Sequence, residues 1–354
     1  MRTIENTKFY SQKIGLLPKG CQMCVKGEKL VIYITGICPR KCFYCPLSEK
    51  RKDKDVIYIN EWKTNKIEDA IKEAKISSAK GCSFTGGDPL AKLDRTLEYI
   101  KALKKEFGKK FHIHLYTSLI LLNEQTLQKL YEAGLDEIRF HPDFEKKEEW
   151  KKINLANKFD WDIGVEIPAI PEYEKQILEL VDFCEGKIKA MTVNEFEMAD
   201  LNADALMKKG YDLKEDIYHG VIGTDELMTK ILQKSLDKSF NVHACSSTLK
   251  DRVQMQNRFK LRAKNIKTKF DIITDEGLLI RGIIEVGDKN LEESAKFLKE
   301  EGLEIFIDEK KNRLITYPEH VEQFADILKD LGLIPSIIEE DPTVEAFIVN
   351  RDYL

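Results

Sequence analysis

Cys38, Cys42 and Cys45 stand in a C-x3-C-x2-C spacing, inside Thr35-Gly36-Ile37-Cys38-Pro39-Arg40-Lys41-Cys42-Phe43-Tyr44-Cys45-Pro46. Three thiolates this close together, on a loop after the apolar run 30–35, can ligate three irons of a [4Fe–4S] cube and leave the fourth open. A closed four-cysteine site only moves electrons or holds a fold. An open iron can bind and reduce a further molecule. The competing chemistry is a zinc loop, but zinc loops want their cysteines in two pairs.

The elements around this loop set where it sits. Apolar strand-like runs at 31–35, 81–85, 111–117, 137–141, 163–167 and 190–194 alternate with helical patterns at 66–79, 90–107, 123–132, 146–157 and 173–183. Leu93, Leu97, Ile100 and Leu103 recur at helical spacing, whereas Ile113 and Leu115 alternate as in a strand. Strand–helix alternation implies parallel strands with right-handed crossovers. The fold class expected is α/β, a partial (β/α)6 barrel, with its chemistry at the C-terminal ends of the strands.

Other candidates fall at those ends. Phe84-Thr85-Gly86-Gly87-Asp88-Pro89 closes the second strand. Gly86 and Gly87 leave backbone open to a ligand, and Asp88 adds a carboxylate or caps the next helix. Thr117 and Ser118 end the third strand as ligand-reaching hydroxyls or as a helix cap. Arg139 and His141 share one face of the fourth strand, and Ile138 and Phe140 share the other. A charged inner face needs partners, for which Glu166, Asn194 and Glu195 on the next two strands are candidates.

A second group of soft ligands lies outside the trio. Cys21 and Cys24 form a C-x2-C pair that cannot close a metal site alone. With His243 and Cys245 they would make a Cys3His set for zinc or an auxiliary Fe–S cluster. The alternative is an exposed redox pair with Cys245 as packing. Cys82 and Cys184 read as core.

The cysteine spacing, with the aromatic Tyr44 just before Cys45, resembles the radical S-adenosylmethionine (SAM) superfamily. Gly20-Cys21-Gln22-Met23-Cys24, Cys42-Phe43-Tyr44-Cys45-Pro46-Leu47-Ser48 and Thr85-Gly86-Gly87-Asp88-Pro89-Leu90 are similar, more closely, to archaeal-type proteins related to pyruvate formate-lyase activating enzyme. The resemblance implies that Cys38, Cys42 and Cys45 hold the cluster and that SAM chelates the open iron. One electron then splits SAM into methionine and a 5'-deoxyadenosyl radical, which abstracts hydrogen from a substrate. It also implies that Gly86, Gly87 and Asp88 stand for the family's GGE element at the SAM amino group, although Asp replaces the commoner Glu. Tyr44 would lie near the adenine, Asn194 would bond it, and Thr117, Ser118 and Arg139 would complete the SAM site. His141, Glu166 and Glu195 are left for a substrate pocket. The chemistry needs a low-potential one-electron donor such as ferredoxin or flavodoxin.

Composition narrows the surroundings. The 354-residue chain carries 57 Lys and Arg against 61 Asp and Glu. The charge is uneven: 271–354 holds 9 basic and 21 acidic residues, so the tail is strongly acidic and residues 1–270 are net basic. Strand and helix patterns from 278 onward read β-α-β-β-α-β, a ferredoxin-like α+β domain whose last strand is expected at 343–349. The expected organisation is an N-terminal segment 1–30 with the CxxC, a barrel with its following basic helix over 31–268, and a small acidic domain over 269–354. Eight Lys and Arg in 249–269 offer phosphate contacts or a docking face for the acidic tail. Three substrates are therefore open: tRNA, a protein or peptide modified as by an activase, and a small metabolite. A non-catalytic Fe–S redox or sensor protein is the reading from another class; the Gly-Gly-Asp element argues against it. No apolar run approaches about 18 residues and no signal-peptide core precedes the first strand, so a cytoplasmic protein away from membranes is expected.

Overall fold

The computed structural model describes residues 2–199, 201–215 and 219–354, which form two compact units. One runs up to Lys75 and from Ala79 to Met255. The other joins Ile76–Ser78 to Gln256–Leu354. The boundary expected at 268 therefore falls at 255, because the helix Gln256–Ile266 packs on the first strand of the C-terminal unit.

In the first unit, strands β1 (Glu5–Asn6), β2 (Ser11–Ile14), β3 (Lys29–Tyr33), β4 (Tyr58–Ile59), β5 (Trp62–Lys63), β6 (Gly81–Thr85), β7 (His112–Thr117), β8 (Glu137–Phe140), β9 (Asp162–Pro168), β10 (Ala190–Asn194) and β11 (Asn241–Cys245) form one sheet. Its order is β1-β2-β11-β10-β9-β8-β7-β6-β3-β4-β5. Among the described residues, β3 and β6 to β11 pair in parallel, which is seven strands where the sequence pattern suggested six. The seventh is β11, and β2 flanks it antiparallel. The N-terminal residues are thus part of the sheet rather than a separate segment.

Helices α1 (Lys19–Cys24), α2 (Ile67–Ile76), α3 (Leu93–Phe107), α4 (Glu124–Ala133), α5 (Glu174–Cys184), α6 (Ala203–Lys208) and α7 (Thr224–Lys234) supply most of the connections. Local signals fix their ends. Asn123 caps α4 by accepting from Thr126 N at 2.9 Å, and Gly134 ends it in the left-handed region. The segment Lys147–Lys158 is a 3-10 rather than an α-helix. Its buried residues, Trp150, Ile153 and Ala156, recur every three positions, which is the period of that tighter helix.

The register of the parallel strands separates two faces. Leu30, Ile32, Phe84, Ile113, Leu115, Ile138, Phe140, Ile163, Val165, Met191 and Val193 are buried in a continuous core with the apolar stripes of α2 to α5 and α7. The residues between them point to the concave face. In neighbouring strands His114 stands beside Glu137, Tyr116 beside Arg139, Thr192 beside Glu166 and His243 beside Thr192. Parallel strands are usually apolar on both faces. Here one face is largely polar, and the short helix α1 lies over it against β3, β6 and β7.

The second unit contains α8 (Gln256–Ile266), β12 (Ile272–Ile273), β13 (Leu279–Glu285), α9 (Leu291–Glu300), β14 (Phe306–Asp308), β15 (Arg313–Thr316), α10 (Pro318–Gln323), α11 (Ala325–Asp330), β16 (Ile334–Glu340) and β17 (Ile348–Tyr353). The order β14-β15-β13-β16-β17, all antiparallel, contains a split βαβ repeat. The strand expected at 343–349 is displaced. The motif closes with β16, whose Pro335 disguises it in the sequence, and β17 is an added edge. Among the described residues, no helix is long and apolar enough to cross a membrane.

Candidate active site

The cysteine loop leaves the C-terminal end of β3 and is seated on the turn after β6. Gly87 N donates to Thr35 O at 2.7 Å, and Asp88 N donates to Ile37 O at 2.9 Å. A Cβ on Gly87 would stand 2.5 Å from Ile37 O and 2.7 Å from Gly36 O. Gly86, at φ +143°, would drive a Cβ into Thr35 O. The two glycines are therefore required by the close passage of the cysteine loop itself. At the loop's other end Asp55 accepts from Thr35 Oγ1 at 2.9 Å and from Arg95 at 2.7 and 3.2 Å, while Arg95 also donates to Ile34 O. Neither Asp55 nor Arg95 stood out in the sequence, since their partners are 20 to 61 residues away.

Cys38, Cys42 and Cys45 are free thiols, each partly exposed. Burial pushes Cys38 up to about 11 and raises Cys42, and Cys42 and Cys45 add to the effect on Cys38. Three thiols on one short loop suit a cation-rich centre that takes them as thiolates. The donor set fits a [4Fe–4S] cluster on its chemistry.

Asp88 is turned inward, onto donors of its own chain. It is fully buried. Its Oδ1 accepts from Leu90 N at 3.1 Å and Thr117 Oγ1 at 2.7 Å. Its Oδ2 accepts from Ser118 N at 3.0 Å and Ser118 Oγ at 2.6 Å. Four donors fill a carboxylate's capacity. The expected ligation of SAM by the Asp88, Thr117 and Ser118 side chains is therefore corrected. The three form an internal clamp that caps the helical turn at Pro89 and pins β7 beside the glycine turn.

Tyr44 is tied across the loop to β8. Its Oη lies 3.0 Å from His141 Nε2, and His141 Nδ1 lies 2.9 Å from Glu166 O. A carbonyl only accepts, so Nδ1 carries the imidazole proton and Nε2 accepts from Tyr44. Arg40 Nη2 donates to Tyr44 Oη at 3.2 Å, and Arg40 Nη1 donates to His141 O at 2.9 Å. Burial, aided by Arg40, holds His141 down at about 4, so it is neutral at physiological pH. Asn202 adds a bond to Tyr44 O at 3.1 Å. Arg40 and Asn202 carry no sequence signal for this role.

Below the mouth, Arg139 joins three strands. Its Nε donates to Glu137 Oε1 at 2.5 Å, its Nη1 donates to Glu166 Oε2 at 2.8 Å, and Asn194 Nδ2 donates to Glu166 Oε1 at 3.0 Å. Burial opposes ionisation of Glu166, but Arg139 and Asn194 more than offset it and leave its carboxyl below the usual range. Arg139 does lie on the concave face, though two carboxylates already hold it. Glu195 is also engaged: Lys214 binds Oε1 at 2.5 Å, and Ser247 N and Oγ bind Oε2 at 2.8 Å each. It braces the segment after β11 and is not an open pocket acid. Glu166 and Asn194, half-buried at the ends of β9 and β10, remain available to a polar ligand.

Cys21, Cys24, His243 and Cys245 come to one region without converging on a point. Among the described residues, the set of three His, Cys, Asp or Glu donors whose atoms lie within 4.8 Å of one another is instead His112, His114 and Glu137. Cys245 packs with Val25, Leu249 and Val253, and His243 Nε2 faces Ser11 Oγ at 3.2 Å. The zinc reading of the four is corrected on that geometry. All three cysteines are buried, so the exposed redox pair is corrected as well. Burial raises the Cys21 thiol, but Arg139 and His243 more than offset it and hold it at about 7. Cys82 and Cys184 are core.

The basic stretch is partly internal. Lys250 pairs with Glu197 at 2.5 Å, Arg258 and Arg262 are buried, Arg262 donates to Pro342 O, and Lys269 pairs with Glu304.

The profile of the Radical SAM superfamily matches residues 32–165. A Methanocaldococcus jannaschii protein, provisionally named a glycyl-radical enzyme activating enzyme, is 43% identical over 99% of this chain and 96% of its own. A biotin synthase of Methanococcus maripaludis is 25% identical over 76% of this chain and 80% of its own. Among solved structures, methylornithine synthase aligns over 67% of this chain and 68% of its own at 15% identity, with a TM-score of 0.41. Likeness to the first of these along nearly the whole length, with the profile match across the cysteine loop and the first strands, makes this chain an enzyme of the radical SAM superfamily, whose members use a [4Fe–4S] cluster and SAM.

Proposed function

We propose that Cys38, Cys42 and Cys45 hold the cluster, that SAM binds over the barrel mouth beside it, and that the radical so formed abstracts hydrogen from a partner protein. The observation that carries this reading is the set of three free, partly exposed thiols on a loop locked to a polar-faced barrel. When bound, the cluster supplies the low-potential electron that cleaves SAM.

The chain's own residues position and insulate. Gly86 and Gly87 seat the loop through their backbone, and Arg40 and Tyr44 fasten it to His141. Glu166 and Asn194 offer a carboxylate and an amide at adjacent strand ends, suited to an amine and a heterocycle. His141 is held neutral and hydrogen-bonded on both nitrogens, so it orients rather than transfers protons. A ferredoxin- or flavodoxin-like donor supplies the electron.

A protein substrate is favoured over tRNA. The relative that matches 99% of the chain bears an activating-enzyme name. The basic stretch that recommended RNA sends Lys250, Arg262 and Lys269 to internal partners. An auxiliary cluster on Cys21, Cys24, His243 and Cys245 is not included, since Arg139 Nη1 and Thr192 Oγ1 already contact the Cys21 sulfur.

The test is anaerobic reconstitution with iron and sulfide, followed by SAM and dithionite. Formation of 5'-deoxyadenosine, lost in Cys38→Ala, Cys42→Ala and Cys45→Ala, is expected. A fully loaded cluster that yields none overturns the radical reading. Adding anaerobic cell protein should then produce a glycyl-type radical signal in electron paramagnetic resonance. A radical adduct appearing on bulk tRNA instead overturns the choice of substrate.

A further inference from the structure

His112, His114 and Glu137 lie at the N-terminal ends of β7 and β8, the opposite end of the strands from the cysteine loop. Each is at most 3% exposed. His112 and His114 are two apart on one strand, so both face the concave side, and Glu137 stands beside His114 in the parallel register. One donor atom from each lies within 4.8 Å of the others.

These groups are short of partners. Both nitrogens of His112, Nδ1 of His114 and Oε2 of Glu137 are buried without a hydrogen bond. An unsatisfied buried polar atom costs about 1–3 kcal/mol, so four in one spot call for a shared occupant. His112 Nε2 and Glu137 Oε2 are 3.4 Å apart. Two ligands on one tetrahedral ion with bonds of about 2.1 Å stand roughly that far apart. A neutral imidazole has one ring nitrogen with a lone pair to give a metal. The other oxygen of Glu137 accepts from Arg139 Nε, and His114 Nε2 lies 3.3 Å from Tyr116 Oη. Ligands held on their far side in this way are pre-oriented for a metal. Gly20 of α1 lets the helix close over them, since a Cβ there would stand 2.9 Å from His114 Nδ1 and 2.7 Å from Arg139 Nη2.

We propose that His112, His114 and Glu137 bind one divalent transition-metal ion, zinc being the ion this imidazole–carboxylate set suits. The ion joins β7 to β8 beneath α1, at the barrel end where fixed features serve stability rather than turnover. The site is separate from the cluster and does not depend on the radical reading.

The experiment uses the full chain with its cluster reconstituted. The protein is treated with a chelator, dialysed against Zn2+, and analysed for metal content and by zinc-edge X-ray absorption. About one retained zinc per chain is expected, with only nitrogen and oxygen neighbours near ~2.0–2.1 Å. Zinc with sulfur neighbours at about 2.3 Å would move the metal to the cysteines and overturn the assignment, as would retention of no zinc, which would leave the pocket to ordered water. His112→Gln and Glu137→Gln should each abolish retention while iron content stays at the wild-type level. If either keeps its zinc in full, the assignment fails. The wild-type spectrum decides the matter even if a variant does not fold. Failure to form 5'-deoxyadenosine would bear on the cluster and leave the zinc result intact.

Discussion

Tyr44 donates its hydroxyl hydrogen to His141 Nε2 at 3.0 Å, and with the Arg40 Nη1 bond to His141 O it connects the cysteine loop to the end of the strand that carries Arg139. The direction follows from Glu166 O, which can only accept from His141 Nδ1. Tyr44→Phe removes the donor and leaves the aromatic packing against Phe43 and Phe196. The unmade bonds to His141 and Arg40 should cost about 1–3 kcal/mol of unfolding free energy. Urea denaturation checks this. All three thiols remain in place, so the variant should still load iron on reconstitution.

His141 also fixes a pH dependence. Its folded value, about 4, lies below the ordinary histidine range near 6.5. The unfolded chain thus binds a proton that the folded chain refuses between those values. Stability from this group is complete above about pH 6.5, is lost as pH falls toward 4, and levels off below. The loss amounts to roughly 3 kcal/mol at an order-of-magnitude level. His141→Gln should flatten that part of the stability–pH curve, measured by melting between pH 4 and 7.

Gly87 separates steric seating from ligand contact. Its φ is ordinary, so Gly87→Ala adds only a methyl group, placed 2.5 Å from Ile37 O. The cysteine loop must shift to admit it. Reconstituted Gly87→Ala should hold well under half of the wild-type iron, measured by colorimetric iron assay. Full iron loading would mean that the loop tolerates the shift and that the glycine serves something else.

The strand and helix order was readable because alternation at periods of 2 and 3.6 survives in the residues that build the core. The alternation at Arg139 and His141 also announced a polar concave face. The same pattern in His112-Ile113-His114-Leu115-Tyr116 is equally legible, but two histidines on a strand carry no metal signature without Glu137 beside them. Asp88 illustrates the opposite failure. Its neighbours in sequence suggested a ligand, whereas Thr117 and Ser118, 29 and 30 residues on, take its oxygens. Arg40, Asp55 and Arg95 act through carbonyls and carboxylates that only the folded chain brings near. In β16, Pro335 suppresses a strand that tertiary pairing with Ile284 restores.

Asp88 therefore behaves as a structural clamp, and Asp88→Asn tests it. The amide turns one acceptor into a donor facing Ser118 N or Thr117 Oγ1. Asparagine should lower stability by about 2–4 kcal/mol. Chemical denaturation at pH 7 provides the measurement, and a change below about 0.5 kcal/mol would show a carboxylate less committed than its four donors imply.

Arg139 is the most heavily engaged charge on the concave face. Glu137 and Glu166 both bind it, and beyond the His112 Nε2–Glu137 Oε2 approach at 3.4 Å neither has another salt-bridge partner among the pairs described. Arg139→Met leaves the buried Glu137 and the half-buried Glu166 without their cation, which should cost about 3–5 kcal/mol. Arg139→Met with Glu166→Gln removes one of the stranded charges and should recover part of the loss. Contact between the two sites predicts a coupling of about 1–3 kcal/mol in the double-mutant cycle. Glu137 remains exposed to the loss of Arg139 in both variants. An ion bound by His112, His114 and Glu137 would neutralise that carboxylate, so zinc-loaded Arg139→Met should melt higher than its chelator-treated form, by more than zinc raises the Glu137→Gln variant.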